Sequence, residues 1–206
     1  MLEGSGYIAF EGLGGSGKTF QSQQLVSRLK ETHPDRKVIW IKEPGGSEIA
    51  DTVRTVVQET KFTEVMHPLC EVYLYAAARA QMLTTVGKPL LNRGGTLVSD
   101  RCFFSSLVYQ GYCRGLDWQI IRDINRPVIR EVYPDLIIYL DMDVDTALAR
   151  RKEKSEHKFA TQSRNFFVLA AQGYLEIGRQ FSNFKVVNAR GSRETVAEQV
   201  WQVIST

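Results

Sequence analysis

The stretch Gly12-Leu13-Gly14-Gly15-Ser16-Gly17-Lys18-Thr19 decides the fold of this chain. It fits the pattern GxxxxGK[ST], and it lies between a short apolar run at 7–10 and a helical stretch at 20–30. In that context the glycines let backbone N–H groups turn towards phosphate oxygens, and the helix N-terminus adds partial positive charge. Lys18 is expected to reach the outer phosphates, and the Thr19 hydroxyl to bind Mg²⁺. The stretch therefore predicts a P-loop that binds the phosphates of ATP.

Outside this loop, short apolar runs alternate with stretches of helical periodicity. Strands are predicted at 7–10, 38–41, 96–98, 136–140 and 184–187. Helices are predicted at 20–30, at 52–57, at 65–91 and from a cap at Ser192 to Ile204. The alternation predicts an α/β fold: a P-loop NTPase-type three-layer sandwich with a five-stranded parallel sheet, helices on both faces and a short lid at about 150–160. Residues 1–206 are expected to form a single domain, with ligands at the carboxyl ends of the strands.

Composition excludes several classes of protein. The chain has 206 residues, 43% of them hydrophobic and 24% charged, which is typical of a globular protein with a buried core. The net charge of +3 suits phosphorylated ligands, and no basic run with interleaved aromatics indicates nucleic-acid binding. Cys70, Cys102 and Cys113 form no CxxC pair, which argues against disulfides and zinc and favours a reducing compartment. Neither a signal peptide nor an apolar run of about 20 residues is evident, so the cytoplasm is expected and a membrane is not.

Two aspartates are candidates for the acid that holds Mg²⁺. The chain lacks the DxxG and NKxD sequences that a GTPase needs. Asp141 follows the apolar run 136–140, but it is equally placed to cap a helix that starts near Val144. Asp100 also follows a short apolar run, and Arg101 beside it supplies a cation for a second phosphate substrate. Asp100 is therefore favoured, because a phosphate-transfer enzyme needs both groups.

Five segments, in this order, resemble those of the thymidylate kinase family. They are FEGLGGSGKTFQ (10–21), EPGGSEIADTVR (43–54), YAAARAQ (75–81), SDRCFFSSLVYQG (99–111) and PDLIIYLDMDVDTALARR (134–151). The resemblance implies transfer of the γ-phosphoryl group of ATP to the 5′-phosphate of dTMP, with Mg²⁺ as cofactor. It also implies a homodimer formed through helices beside the sheet, to which apolar faces within 65–91 and 104–109 are suited.

The resemblance also implies roles for individual residues. The catalytic residues would be Lys18, Asp100, Arg101 and Arg150. Arg150 and Arg151 would join the P-loop in binding ATP, and Thr19 and Asp100 would hold Mg²⁺. Tyr75 would stack on thymine where the family usually has Phe, Arg79 would hydrogen-bond the base, and Tyr109 would crowd the 2′ side of the sugar. The other residues on the acceptor side would be Glu43, Pro44, Arg54, Arg101, Ser105, Ser106 and Gln110.

Two of these groups also have a purely structural interpretation. An aromatic residue such as Tyr75 in an apolar helix is typical of a protein core. Arg79 follows it by four residues and so shares its helical face, which favours a ligand-binding pair. The charges between Arg150 and Lys158 are typical of a solvated helix face. Their position between a strand and a later apolar helix favours a lid.

The chain departs from the family pattern at three places. Gly14 stands where many relatives have an acid, and His157-Lys158-Phe159-Ala160 stands where the lid often has Asp-Arg, an apolar residue and Glu. Phe20 and Lys42 replace a usual Thr and Arg. A lysine offers a point charge and cannot reproduce the forked contact of an arginine with phosphate.

These departures leave two alternatives open. One is a kinase for another deoxynucleoside monophosphate, such as dUMP. The other is a nucleotide-binding regulatory module that kept the fold and lost turnover. The missing acids favour that module, whereas the presence of Lys18, Thr19, Asp100 and Arg101 favours an enzyme.

Overall fold

The computed structural model describes residues 6–58, 62–152 and 162–205 of the chain. Its strands form one parallel sheet in the order β2-β3-β1-β4-β5. They are β1 Gly6–Glu11, β2 Val38–Lys42, β3 Thr96–Asp100, β4 Leu136–Asp141 and β5 Phe184–Asn188. Every residue of β1 and β3 is buried, as expected for central strands covered on both faces. The predicted α/β fold with a five-stranded parallel sheet is confirmed.

Helices cover both faces of this sheet. In the described part of the chain they are α1 Lys18–Thr32, α2 Glu48–Gln58, α3 Pro68–Met82, α4 Lys88–Leu91, α5 Phe104–Ser106, α6 Trp118–Ile129, α7 Val144–Lys152, α8 Arg164–Gly178 and α9 Arg193–Ser205. Because parallel crossovers are right-handed, the connection from β1 to β2 lies on the opposite face from those that run from β2 to β3, from β3 to β4 and from β4 to β5. In agreement, α1 packs with α9, and α3 packs with α6.

The predicted helix at 65–91 is a sequence of shorter elements. Helix α3 begins only at Pro68, where the His67 side chain accepts a hydrogen bond from the Leu69 backbone N–H at 3.2 Å. A π-helical segment, Leu83–Gly87, follows, and α4 then carries a proline in its first turn. That proline has no backbone N–H to continue the preceding hydrogen-bond ladder, which explains the break. A second π-helical segment, Leu107–Tyr112, follows α5.

Side-chain caps fix the start of two helices near the end of the sheet. The prediction that Ser192 caps the last helix is confirmed, because the Thr195 N–H donates to its Oγ at 3.2 Å. The prediction that Asp141 caps the next helix is wrong. Asp143 accepts from the Thr146 N–H at 2.8 Å, since the helix begins at Val144 and places Asp143 directly before it.

The carboxyl ends of β1, β2 and β3 meet at one edge of the sheet. In the register of β1 and β3, Phe10 lies beside Asp100, and in that of β2 and β3 Lys42 does. The Arg101 N–H then donates to the Phe10 carbonyl at 2.8 Å, and the Glu43 N–H to the Asp100 carbonyl at 2.9 Å. The loops after β1, β2 and β3 are thereby tied together. Among the helices described, none has both the length and the apolar character that a membrane crossing requires.

Candidate active site

A cavity of about 810 Å³ runs along this edge of the sheet. It is lined by residues from the loops after all three strands, from α3, from the end of α7 and from the loop before α9. The structure brings together there all the predicted site residues except Gly12 and Leu13: Gly14, Gly15, Ser16, Gly17, Lys18, Thr19, Glu43, Pro44, Arg54, Tyr75, Arg79, Asp100, Arg101, Ser105, Ser106, Tyr109, Gln110, Arg150 and Arg151. Gly12 and Leu13 lie at the base of the loop.

Two glycines of the P-loop, Gly14 and Gly15, lie against different parts of α7. Gly15 has φ +92°, and a Cβ there would collide with the backbone carbonyl of Ala147 in α7. Gly14 lies under Arg151, and a Cβ there would lie 3.0 Å from the Arg151 Cδ. Any side chain at Gly14 therefore competes with Arg151 for the same space above the loop.

Lys18 is buried inside the loop. Its Nζ donates to the Gly12 carbonyl at 2.9 Å and to the Leu13 carbonyl at 2.7 Å. Burial, together with the nearby Arg101 guanidinium, lowers the pKa of Lys18 from 10.5 to about 7. Two cations thus share a poorly solvated position, and a polyanion bound there would stabilise both.

Thr19 and Asp100 form the candidate metal site. The Thr19 hydroxyl donates to Oδ2 of Asp100, whereas Oδ1 of Asp100 is buried without a hydrogen-bond partner. Hard oxygen ligands of this kind fit Mg²⁺, and so does an unpaired buried carboxylate oxygen. No group of three or more His, Cys, Asp or Glu side chains that could hold a metal occurs in the described ranges. A cation here would therefore take most of its ligands from water and phosphate, which is how Mg²⁺ is usually bound.

Arg101 has a left-handed backbone conformation, with φ 82°. Non-glycine residues rarely adopt it, and where they do the cost is borne by surrounding contacts. Here the Arg101 N–H is held by β1, and its Nη1 lies 3.0 Å from Ser105 Oγ, 3.3 Å from the Gly12 carbonyl and 3.3 Å from the Tyr174 hydroxyl. The guanidinium is therefore directed at the P-loop.

Glu11 anchors the segment that carries Arg101, and sequence reasoning did not assign it a role. Its fully buried carboxylate accepts from the N–H groups of Cys102 and Ser105 at 2.9 and 3.0 Å, and from the hydroxyls of Ser105 and Tyr174 at 2.7 and 2.8 Å. Burial raises the pKa of Tyr174, which keeps its phenol protonated as a donor. An acid at the end of the first strand was the available signal for Glu11. Tyr174 is 163 residues away and gives none.

The two α3 residues predicted to bind a base lie at one end of the cavity. Tyr75 is half-buried, and Arg79 is buried one helical turn further on. The Nε of Arg79 donates to Oε2 of Glu43 at 2.7 Å, so β2 and α3 are joined at this point. Tyr109 presents its ring 5.5 Å from the Arg101 guanidinium carbon. Aromatic rings, a donor group and a cation therefore line the same cavity.

The loop after β2 closes the same end. The Arg54 guanidinium donates to the Pro44 carbonyl at 2.6 Å, and Asp51 accepts from the Gly46 N–H at 3.0 Å. Both contacts come from α2 and hold the loop against the cavity.

The other end of the cavity carries further cations. Arg150 lies near Met142, with Nη1 3.5 Å from the sulfur, and Arg151 lies over the Phe167 ring at 4.9 Å. Phe20 is covered by the Arg193 guanidinium at 4.8 Å. The predictions for Lys154, His157, Lys158, Phe159 and Ala160 fall outside the described residues.

Comparison with known proteins decides the family. Residues 10–200 match the sequence model of the thymidylate kinase family. The chain belongs to the thymidylate kinase family. A thymidylate kinase from Syntrophotalea carbinolica is 35% identical, with 97% of this chain and 94% of that one covered. A thymidylate kinase from Bacillus cereus strain Q1 is 35% identical, with 96% of both covered.

The fold agrees with that of a thymidylate kinase of known structure. The crystal structure of thymidylate kinase from Ehrlichia chaffeensis superposes with a TM-score of 0.80 at 27% identity, and the match covers 98% of this chain and 99% of that one. The resemblance seen in the five sequence segments is thus confirmed. As a member of this family, the chain is a nucleoside monophosphate kinase, a phosphotransferase.

Proposed function

We propose that this thymidylate kinase family member transfers the γ-phosphoryl group of ATP to the 5′-phosphate of dTMP, giving ADP and dTDP. The observation that carries the proposal is one cavity in which a P-loop, the pair Asp100 and Arg101, and the pair Tyr75 and Arg79 all take part. The P-loop binds the donor. The pair Asp100 and Arg101 lies where two phosphates would meet, and the pair Tyr75 and Arg79 suits a base.

Four cationic side chains support the assignment of the donor side of the cavity. Lys18 from the loop, Arg101 from the β3 loop, and Arg150 and Arg151 from α7 all line the cavity. Charge in phosphoryl transfer accumulates on the transferred oxygens, and one well-placed arginine is worth about 10³ to 10⁵ in rate. The lid expected at about 150–160 lies mostly outside the described residues.

Mg²⁺ is part of the proposal. Thr19 and Asp100 would hold it, as the unpaired Asp100 Oδ1 supports. An ion bound there would offset part of the negative charge of the phosphates. In the same arrangement, Asp100 fixes the Thr19 hydroxyl, and Arg101 is held by Ser105 and Glu11 to grip the acceptor phosphate.

Shape and hydrogen bonding support the assignment of the acceptor base. Tyr75 offers a ring face for stacking, which is worth about 1–3 kcal/mol for a base. Arg79 can only donate hydrogen bonds, so it favours a base edge that presents a carbonyl oxygen. Ser106 and Gln110 are buried at the cavity wall, as is Tyr109. We expect the Tyr109 ring to crowd a 2′-hydroxyl and so to favour deoxyribose.

The assay measures ADP release from ATP and Mg²⁺ with dTMP, dUMP, dCMP, dGMP, UMP or CMP added singly. Lys18→Ala serves as the control for contaminating kinases. We expect dTMP to give the highest kcat/KM. If another acceptor gives a higher value, the acceptor assignment is wrong, with Gly14 the first position to examine. If no acceptor reacts although ATP binds, the chain is a nucleotide-binding module.

A homodimer in the cytoplasm is also proposed. Of the two apolar faces considered, the segment 104–109 is unsuitable, because Phe104, Leu107, Val108 and Tyr109 are buried in the core. Helices α2 and α3 pack together and expose Ile49, Val56 and Tyr73. This surface suits a dimer, and sedimentation of Tyr73→Glu against wild type tests it: the variant should be monomeric, and an unchanged mass would exclude this surface.

A further inference from the structure

Arg79 is fixed on two sides although it lines the cavity. Its Nε donates to Oε2 of Glu43 at 2.7 Å, and its Nη1 donates to Oδ1 of Asn125 at 2.6 Å. Both partners are buried, Glu43 being 3% and Asn125 2% exposed. A guanidinium has five N–H groups in one plane, so two bonds in different directions determine where the other three point.

Asn125 lies behind Arg79, outside the set of described residues that line the cavity. Its Nδ2 donates to the Ile121 carbonyl of the same helix, α6, at 2.8 Å. That bond fixes the orientation of the amide, because the donor end is taken up by the carbonyl and the acceptor end must face Arg79. Asn125 therefore has both of its polar ends engaged without contacting any ligand that fills the cavity.

The other partner, Glu43, is tied to the sheet. Tyr7 donates its hydroxyl to Oε1 of Glu43 at 3.3 Å, and Ser99 donates to the Tyr7 oxygen at 3.2 Å. One carboxylate already balances the charge of Arg79, and a second would be costly in so buried a position. An amide supplies the second acceptor without adding charge, which is a physical reason for asparagine at 125.

We propose that Asn125 is a positioning residue for acceptor recognition. It holds Arg79 so that the remaining N–H groups face the cavity and select a base with a carbonyl oxygen at position 4, as in thymine or uracil. Cytosine has an amino group there, and two donors would face one another. The inference rests on the proposed function, since it assigns the base to the Arg79 end of the cavity.

The test compares variants at Asn125, Ile121 and Arg79 with wild type, with ATP saturating. For each, the KM and kcat for dTMP are measured, and dCMP is assayed as a competing ligand. Asn125→Leu keeps the size of the side chain but removes the acceptor. We expect the KM for dTMP to rise about tenfold, kcat to change less than about threefold, and the preference for dTMP over dCMP to fall about tenfold, as for the loss of about 1.4 kcal/mol.

Asn125→Asp is the conservative variant. In either protonation state it keeps an oxygen acceptor for Arg79, and its protonated form can also donate to the Ile121 carbonyl. We expect the preference to stay within about threefold of wild type. Ile121→Val is the matched control, because it trims the buried face of the same helix without touching Arg79. It should lower the melting temperature and leave the preference unchanged.

The outcomes separate the two proposals. If wild type does not phosphorylate dTMP, the proposed function fails, and this inference fails with it. If wild type is active but folded Asn125→Leu keeps its preference, or folded Asn125→Asp loses it, Asn125 has only a structural role. In an Arg79→Met background, Asn125→Leu should have no further effect on the preference, and a further loss there would also overturn the inference.

Discussion

Replacing Lys18 by methionine should make the ligand-free protein more stable at low pH while it abolishes turnover. Lys18 is 6% exposed, and the pKa of its ammonium group is lowered from 10.5 to about 7, mainly by burial. Between these pH values the unfolded chain binds a proton that the folded chain does not, so stability rises with pH. The cost of charging Lys18 is fully present below pH 7 and disappears towards pH 10.5.

The size of this cost follows from the difference between the two pKa values of Lys18, 10.5 and about 7. At about 1.4 kcal/mol for each pH unit, the cost is about 5 kcal/mol at pH 6 and about 2 kcal/mol at pH 9. Methionine removes this cost, but it also removes the two hydrogen bonds to the Gly12 and Leu13 carbonyls. Those bonds contribute about 1 kcal/mol each. The variant should therefore be about 3 kcal/mol more stable than wild type at pH 6 and about equal to it at pH 9.

Thermal unfolding of the ligand-free protein between pH 6 and pH 9 measures this difference. The buffers must contain neither phosphate nor nucleotide, which would bind the loop. At about 2–4 °C per kcal/mol for a chain of this size, Lys18→Met should melt about 6–12 °C above wild type at pH 6. Lys88→Met is the control, because Lys88 is exposed and paired with Glu131. Parallel pH curves for wild type and Lys18→Met would refute the reasoning.

Three further predictions concern the loop, the arginine and the metal. Gly15→Ala should raise the KM for ATP at least about tenfold and lower the melting temperature, because the new Cβ would meet the Ala147 backbone. Gly14→Ala should change the KM for ATP less than about threefold. Equal effects of the two substitutions would contradict the loop geometry. Arg101→Lys should lower kcat by about 10² or more with the circular-dichroism spectrum unchanged, since a lysine cannot make a forked contact with phosphate; near-normal kcat would remove Arg101 from the reaction. Chelation of Mg²⁺ by EDTA should abolish turnover, and excess Mg²⁺ should restore it. Asp100→Asn should raise the Mg²⁺ concentration for half-maximal activity about tenfold or more. If that concentration is unchanged, the metal lies elsewhere.

The sheet could be predicted from the sequence because its strands are short, apolar and separated by turns. Each of the five predicted runs lies within an observed strand and differs from it by at most two residues at either end. Helices were harder to predict. The π-helical hydrogen-bond pattern at Leu83–Gly87, before the proline of α4, is not visible in the hydrophobic periodicity. Helix α6 was not predicted at all, because Pro127 within it is typical of a helix end.

Some residues of the candidate site could be predicted from the sequence, and others could not. Residues within a local pattern, such as Lys18 beside Gly17 or Arg101 beside Asp100, could be predicted from their neighbours in the chain. Tyr174 and Asn125 could not, because their importance lies in hydrogen bonds to residues 163 and 46 positions away. Burial of a polar side chain becomes informative only once the fold shows what it contacts.

The register between β1 and β3 has a consequence for how activity appears during folding. It places Phe10 beside Asp100 and lets the Arg101 N–H reach the Phe10 carbonyl. A slip of one residue would move Asp100 by about 3.3 Å and turn its side chain to the opposite face of the sheet, away from Thr19. A chain with the two strands misaligned could be compact, yet it would have no paired Thr19 and Asp100. The return of activity on refolding is thus a reporter of correct pairing between the two central strands.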